Sequence, residues 1–296
     1  MSVKKYWFWI VISTIIISWF GNTLYFKSKQ LDAPIFLTHY INLNIEEEVT
    51  YLSLYYITNK TDFTELQQIQ MEGLTLYPQN NGFFFMNDQN QQQYHQEFTH
   101  HYLKKATFEI HKDQFNAKQL KDGLEIEKIE AVFSQSPSKS MPVGQIHMNP
   151  NEVRNDLLRN DRSSGSSNGD FQSNHSASEA LTITELILPF GKQLEKEYEI
   201  KLTHNHQSYF AGTFTNTTVS NRYPVNKQPI QMKENDTLLT KIQLNTKSNK
   251  VLNIQFILRG QSNSGKKFQT SINAYLEPYL TQSDINSYIE RASEVK

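Results

Sequence analysis

From Tyr6 to Phe26 the chain carries no charged side chain, and Lys4, Lys5 and Lys27 bracket the run. About 21 residues of helix rise roughly 31 Å, enough to cross a hydrocarbon core of about 30 Å. Trp7, Trp9, Trp19, Tyr25 and Phe26 lie toward the two ends. Aromatic rings favour those depths, where apolar body and polar tip are both satisfied. The pattern predicts a transmembrane helix over 6–26. A cleaved signal peptide needs small residues after its apolar core. Here the run closes on Trp19-Phe20-Gly21-Asn22-Thr23-Leu24-Tyr25, which is too bulky, so an uncleaved signal anchor is expected. No second apolar run approaches this length, which predicts a single pass. Lys27 and Lys29 offset Lys4 and Lys5, so charge alone does not orient the helix. The expected arrangement has residues 1–5 in the cytoplasm and the body outside.

Beyond the helix the period changes from continuous to alternating, and β-branched and aromatic residues recur between polar turns. This reads as strands. A first set occupies 32–150, with strands expected at Phe36–Ile45, Val49–Thr58, Leu66–Leu76, Gly82–Met86, Tyr102–His111, Leu124–Phe133 and Met141–Met148. About seven short strands suit an antiparallel β-sandwich of immunoglobulin-like size, without the Cys…Trp…Cys pattern of antibody domains. Asn149 and Pro150 predict the start of a short helix running through Val153, Leu157 and Leu158. The stretch Asp161–Ser178 is Ser, Asn and Gly with almost no apolar content, so 151–178 is expected to be a short helix and a flexible tether. A second sandwich is expected over 179–296, with strands at Leu181–Leu188, Lys196–His204, Tyr209–Asn216, Gln228–Met232, Thr237–Asn245, Val251–Arg259 and Lys267–Leu276. Thr281-Gln-Ser-Asp284 has capping-box spacing, and Ile285, Tyr288, Ile289 and Ala292 recur at helical spacing. A short C-terminal helix packed on the second sandwich follows from that. The fold class is thus mainly β, with one N-terminal transmembrane helix, two antiparallel sandwiches and a terminal helix.

Composition narrows the function. The 296 residues include 29 basic and 30 acidic side chains, and a net charge of −1 argues against a general nucleic-acid binder. Without Lys4 and Lys5 the remainder is three charges acidic, which gives no reason for strong adhesion to an anionic surface. There is no cysteine. Disulfides, thiolate nucleophiles, zinc ribbons and iron–sulfur sites are therefore excluded. Asn and Gln number about 50, an unusually high share.

Several strings look chemical, and each has a plainer reading. Gly165-Ser-Ser-Asn-Gly169 matches the G-x-S-x-G pattern, yet no strand is expected before it to build a nucleophile elbow. Gly260-Gln-Ser-Asn-Ser-Gly265-Lys266-Lys267 approaches a phosphate-binding loop, but Lys267 stands where Ser or Thr must hold magnesium, and a strand follows. A hairpin turn is expected there. Ser136-Pro137-Ser138-Lys139 and Ser264-Gly265-Lys266-Lys267 have S-x-x-K spacing without companion elements. His95, His100 and His101 lie close in sequence, and His204 and His206 would share one strand face, a spacing that can chelate zinc. No third ligand follows at a recognisable spacing. Glu46-Glu47-Glu48 and the group Asp122, Glu125, Glu127 and Glu130 read as solvated carboxylates. Tyr55-Tyr56 and Phe83-Phe84-Phe85 read as core, and Gln89–Gln96 as a polar loop. Asn59, Asn174, Asn216 and Asn235 head glycan-acceptor strings that chance suffices to explain in so Asn-rich a chain.

No catalytic, cofactor-binding or metal-ligating residue is assigned, and no cofactor is expected. The expected role is a non-enzymatic binding or scaffold module of the cell envelope. Its partners would be membrane lipid, through the N-terminal helix, and a protein or cell-envelope component. The alternatives are an envelope hydrolase with a carboxylate or histidine site assembled from distant positions, and an accessory subunit of a membrane complex. The Lys-, Asn-, Gln- and Ile-rich, cysteine-free chain with its N-terminal anchor resembles membrane-anchored exported proteins of low-GC Gram-positive bacteria. That resemblance is one of composition and layout and implies no functional residue.

Overall fold

A computed structural model describes residues 3–62, 64–79, 94–134, 136–150, 156–194, 196–212, 222–224 and 229–294. The chain is mainly β. Helix α1 (Val3–Ser28) comes first, then β1 (Ile35–Phe36), β2 (His39–Asn44), β3 (Val49–Asn59), β4 (Leu66–Met71), β5 (Leu74–Leu76), β6 (Gln96–Glu97) and β7 (His101–His111). Helix α2 (Ala117–Asp122), β8 (Leu124–Phe133) and β9 (Ser136–Asn149) complete the first half. The second half holds β10 (Leu158–Gly165), β11 (Asp170–Ala177), β12 (Leu181–Ile187), β13 (Tyr198–His204), β14 (Gln207–Gly212), β15 (Arg222–Pro224), β16 (Ile230–Met232), β17 (Thr237–Leu244), β18 (Val251–Ser262), β19 (Lys267–Leu276) and α3 (Gln282–Glu294). The strand expected at Gly82–Met86, the rings Phe83–Phe85 and most of Gln89–Gln96 lie outside the described residues.

Helix α1 is apolar on every side, and its large side chains stay exposed, with Ile17 at 71% and Trp9 at 64%. Among the described residues it is the one helix long and apolar enough to cross a membrane. An apolar helix with protein against only its last turn needs another apolar medium. That fits a membrane anchor or a signal sequence.

Among the described residues three sheets form the body. The first has order β1-β3-β7-β6 and the second β10-β11-β17-β13-β14. The third runs β15-β12-β18-β2-β9-β8-β4-β5, with β16 also on β12 and β19 on β18. Two cores result. Leu52, Leu54 and Phe108 of the first sheet share one with Ile41, Ile126, Ile129 and Ile146 of the third. Ile200, Leu202 and Ile242 of the second sheet share the other with Leu186, Phe256 and Ile272 of the third. The third sheet therefore serves both halves. They meet where β2 pairs in parallel with β9 on one side and with β18 on the other, Val251 opposite His39 and Leu252 opposite Tyr40. Close approach here demands Gly144, whose φ is +96°. A Cβ at that position would stand 2.2 Å from the backbone oxygen of His39.

The structure corrects the sequence reading in several places. Leu66–Leu76, expected as one strand, is the β4–β5 hairpin, and β2 runs parallel to both its neighbours where antiparallel sheets were expected. The Ser/Asn/Gly stretch expected as a tether is a paired hairpin, β10 against β11, and β11 also pairs β17 along its length. Its few core-facing residues, Leu158, Ser173, His175 and Ala177, are all buried, and the neighbouring strand supplies the rest of the wall. The helix expected through Val153, Leu157 and Leu158 does not include the last two, because Leu157 lies in a turn and Leu158 opens β10; Val153 lies outside the described residues. Helix α3 begins with the expected reciprocal cap, Thr281 N donating to Asp284 Oδ2 at 2.8 Å and Asp284 N to Thr281 Oγ1 at 3.3 Å. It packs across both halves rather than on the second alone, with Val251 of β18 in the same core. Ile285 and Tyr288 join Leu37, Tyr55, Ile57 and Leu103 in a third core on the outer side of β3 and β7. The hydroxyl of Tyr288 donates to Asn249 O at 2.7 Å and accepts from Thr38 N at 3.3 Å, tying both halves to the helix.

Candidate functional site

The sequence strings resolve into structural roles. Ser166–Gly169 is the turn joining β10 to β11, not a nucleophile elbow. Gly165 is glycine for a packing reason. A Cβ there would stand 2.7 Å from Phe171 Cε1, and its absence lets that ring approach Tyr275 at 5.7 Å between centroids. Gly260–Lys267 is a hairpin end, with Gln261 opposite Lys267. Ser136 opens β9. Asn205 and His206, at φ 48° and 63°, form the two-residue turn between β13 and β14. Hence His206 is exposed while His204 is buried beside Asp236, its Nε2 3.1 Å from Oδ2, and the two rings share no face. Glu46–Glu48 and the carboxylates of Glu125, Glu127 and Glu130 are exposed. Among the described residues no three His, Asp or Glu side chains come together as a metal site. Asn59 is buried and fully engaged, which closes it as a glycan acceptor.

Two histidines missed from the sequence lie at the centre of the body. His39 is wholly buried, its Nδ1 3.0 Å from Val143 O and its Nε2 accepting from Tyr55 N at 2.9 Å. These partners fix the neutral ring with its proton on Nδ1, and burial holds the pKa down at about 4 against the opposing pull of the Val143 and Leu37 carbonyls. His175 is equally buried and is also held at about 4 by burial, with Asp161 acting the other way. Ser173 Oγ lies 3.4 Å from His175 Nε2, which is the arrangement of a nucleophile and its base. Both side chains face the core, with Ser173 3% exposed and His175 not at all. A substrate has no path to them, so the pair is structural. The alternation that marks β11 as a strand puts Ser173 and His175 on one side, a signal hidden by the segment's low-complexity composition.

The surface that does face solvent is the outer side of the second sheet. Register places Ser164, Gln172, Lys241 and Lys201 in one row across four strands, and Asp170, Gln243 and Glu199 in the next. All seven are exposed. The rows lie two residues apart along each strand, about 7 Å. They line a shallow concavity of about 670 Å³ with Phe171 among its walls. Two ammonium groups, a carboxamide and a hydroxyl in one row face two carboxylates and a carboxamide in the next. Such a surface offers both donors and acceptors to a polar ligand, beside the apolar wall that Phe171 supplies. The sequence shows each strand but not their side-by-side order, so this grouping was not legible in it.

A second connected region joins anchor to body. Asn59 accepts from Leu31 N at 2.8 Å and donates to Leu31 O at 2.9 Å, while His101 Nε2 lies 2.9 Å from Lys29 O. The ring of His100 stands edge-on to Tyr25 and Phe26, centroids 6.1 and 5.6 Å away.

Compared with protein-family models the chain matches none, and it matches no curated protein. Among solved structures it is distantly similar to CfaE, the adhesive subunit of CFA/I fimbria of enterotoxigenic Escherichia coli. That likeness has 8% identity, a TM-score of 0.23, and covers 81% of this chain and 85% of that one. The collagen binding domain of Erysipelothrix rhusiopathiae surface protein RspB gives 9% identity and a TM-score of 0.19, over 81% and 93%. Scores this low do not define the fold or role of this chain.

Proposed function

We propose that this protein is a single-pass, membrane-tethered binding or scaffold module of the cell envelope. In this reading α1 spans the membrane, residues 1–5 stay in the cytoplasm, and two immunoglobulin-like-size β-sandwiches stand outside. The observation that carries the reading is the solvent-facing concavity on the second sheet, with its rows of Lys201, Lys241, Glu199 and Asp170. Its mixed polarity suits a protein surface or a hydroxyl-rich envelope polymer. Tethering confines the body near the membrane, which raises the effective concentration of such a surface there.

The test has two arms. Protease added to intact cells after wall removal should digest the body to a short membrane-protected stub. Protection in intact cells with cutting only after lysis would invert the topology. In the second arm, full-length protein in detergent is sedimented with isolated envelope. The double variant Lys201→Glu/Lys241→Glu should bind about tenfold more weakly, through charge mismatch at the surface. Equal binding by variant and parent would move the contact off this sheet.

A further inference from the structure

We infer that the lower end of the first half rests directly on the membrane, its loops touching the phospholipid headgroups, because Asn59 and His101 clamp the body to the end of the anchor. The inference rests on α1 being the membrane-spanning helix. Three observations carry it. The helix runs to Ser28, and the next residue, Lys29, is already held by His101, with Leu31 held by Asn59 from both sides. No stretch of free chain separates anchor from body. Thr61 Oγ1 reaches Gln30 Oε1 at 3.2 Å, and Gln30 N continues the helical turn by donating to Lys27 O at 3.2 Å. Lastly, His100 touches Tyr25 and Phe26, which belong to the apolar run itself.

Depth follows from those contacts. If the apolar run crosses the hydrocarbon, Tyr25 and Phe26 lie within one helical turn, about 5 Å, of its end. Rings at that depth sit among headgroups. His100 is packed on them, so the 99–101 loop lies at headgroup level, as does the 59–62 loop beside it. The groups presented there are Lys27, Lys29, Lys60, the hydroxyl of Thr99 and the His100 ring. These are donors for lipid phosphate oxygens. Lys60 is paired with Glu97, and Asp62 accepts from Asn59, so the local charge is mixed. The clamp, not charge, imposes the contact. The partner is the phospholipid layer, zwitterionic lipid included.

The cysteine-free chain makes the test clean. Single cysteines are introduced into the full-length protein by Thr99→Cys, Glu46→Cys and Ile15→Cys, labelled with a fluorophore and reconstituted in zwitterionic nanodiscs. Glu46 is exposed and lies beyond the end of β3 opposite to Asn59. Headgroup-spin-labelled lipid should quench the Thr99→Cys label at least about threefold more than the Glu46→Cys label. Adding Asn59→Ala, which removes both bonds to Leu31, should reduce that difference and speed the tumbling of the label. Acyl-chain-labelled lipid should quench the Ile15→Cys label. If that last quenching is lost, the spanning reading itself fails. If it holds while the Thr99→Cys and Glu46→Cys labels quench equally, the clamp fails alone. Quenching of the Thr99→Cys label that requires anionic lipid would also overturn the clamp, since charge would then set the contact.

Discussion

A single ring, His39 of β2, ties its own strand to two others by accepting from Tyr55 N on β3 and donating to Val143 O on β9. Protonating it would remove the acceptor that the Tyr55 amide needs. The unfolded ring titrates near 6.5 and the folded one near 4, and the same holds for His175. Between those values the unfolded chain binds more protons, so stability is complete above 6.5 and falls as pH drops toward 4. Each ring contributes up to about 3 kcal/mol across that window. Burial lowers His101 and His147 as well, which adds to the same slope. Burial works to raise Glu277, but bonds from Lys105 and Tyr55 prevail and leave it low. Asp236 is held low first by the Lys233 amide. Both carboxylates lose their contribution only below about 4.5, so the window from 6.5 to 5 belongs to the histidines. Denaturant midpoints should fall steadily from pH 7 to pH 5, and His39→Gln should flatten part of that slope. A level profile would refute the assignment.

At the scale of elements, the connector after β19 behaves as a strap across the first half. Glu277 Oε1 accepts from Tyr55 and Lys105 at 2.9 and 2.7 Å, Leu280 exchanges two bonds with Gln96, and Gln282 Oε1 accepts from Thr99 N. Tyr288 closes it. Replacing Tyr288 by Phe deletes the donor to Asn249 O inside a buried contact, an expected loss of about 1–3 kcal/mol. Thermal melts should show it as a midpoint several degrees lower. Tyr279→Phe, at a side chain 81% exposed, should leave the midpoint unchanged. Matching midpoints for the two variants would deny Tyr288 this role. The strap also marks how far the sequence could be read. Leu124–Phe133 was expected as a strand and is one, residue for residue, because apolar side chains alternate along it. The cap at Thr281–Asp284 was equally legible, being a local bond. What α3 packs against was not, since Ile285 and Tyr288 announce a buried face without naming the surface that covers it. The β10–β11 hairpin escaped for another reason: it is rich in serine, asparagine and glycine, so propensity favours loop and only the pairing with β17 overrides it. The concavity could not be foreseen, because it depends on four strands being laid side by side.

For the whole molecule, the third sheet makes two sequence halves one mechanical body. Its strands run from the outer edge of one half to that of the other, and the third core mixes Leu37 and Leu103 with Val251 and Ile285. Separate unfolding of the halves would have to break the β2–β18 pair and bare that core. Calorimetry of the full chain is therefore expected to show one cooperative transition, with the van't Hoff enthalpy matching the calorimetric one. Two resolved transitions would mean that the halves are independent. The same parallel pair also bears on the order in which the molecule is completed. His39 meets Val251 more than two hundred residues later, a closure that is slow and entropically costly. A ribosome delivers β2 and the outer side of β3 long before β18 and α3 exist. Until then Leu37, Tyr55 and Ile57 have no cover, and one edge of β2 stands open to any passing strand. The first half leaves synthesis unfinished and waits for the last fifty residues to close it, a wait during which a holding chaperone has an obvious task.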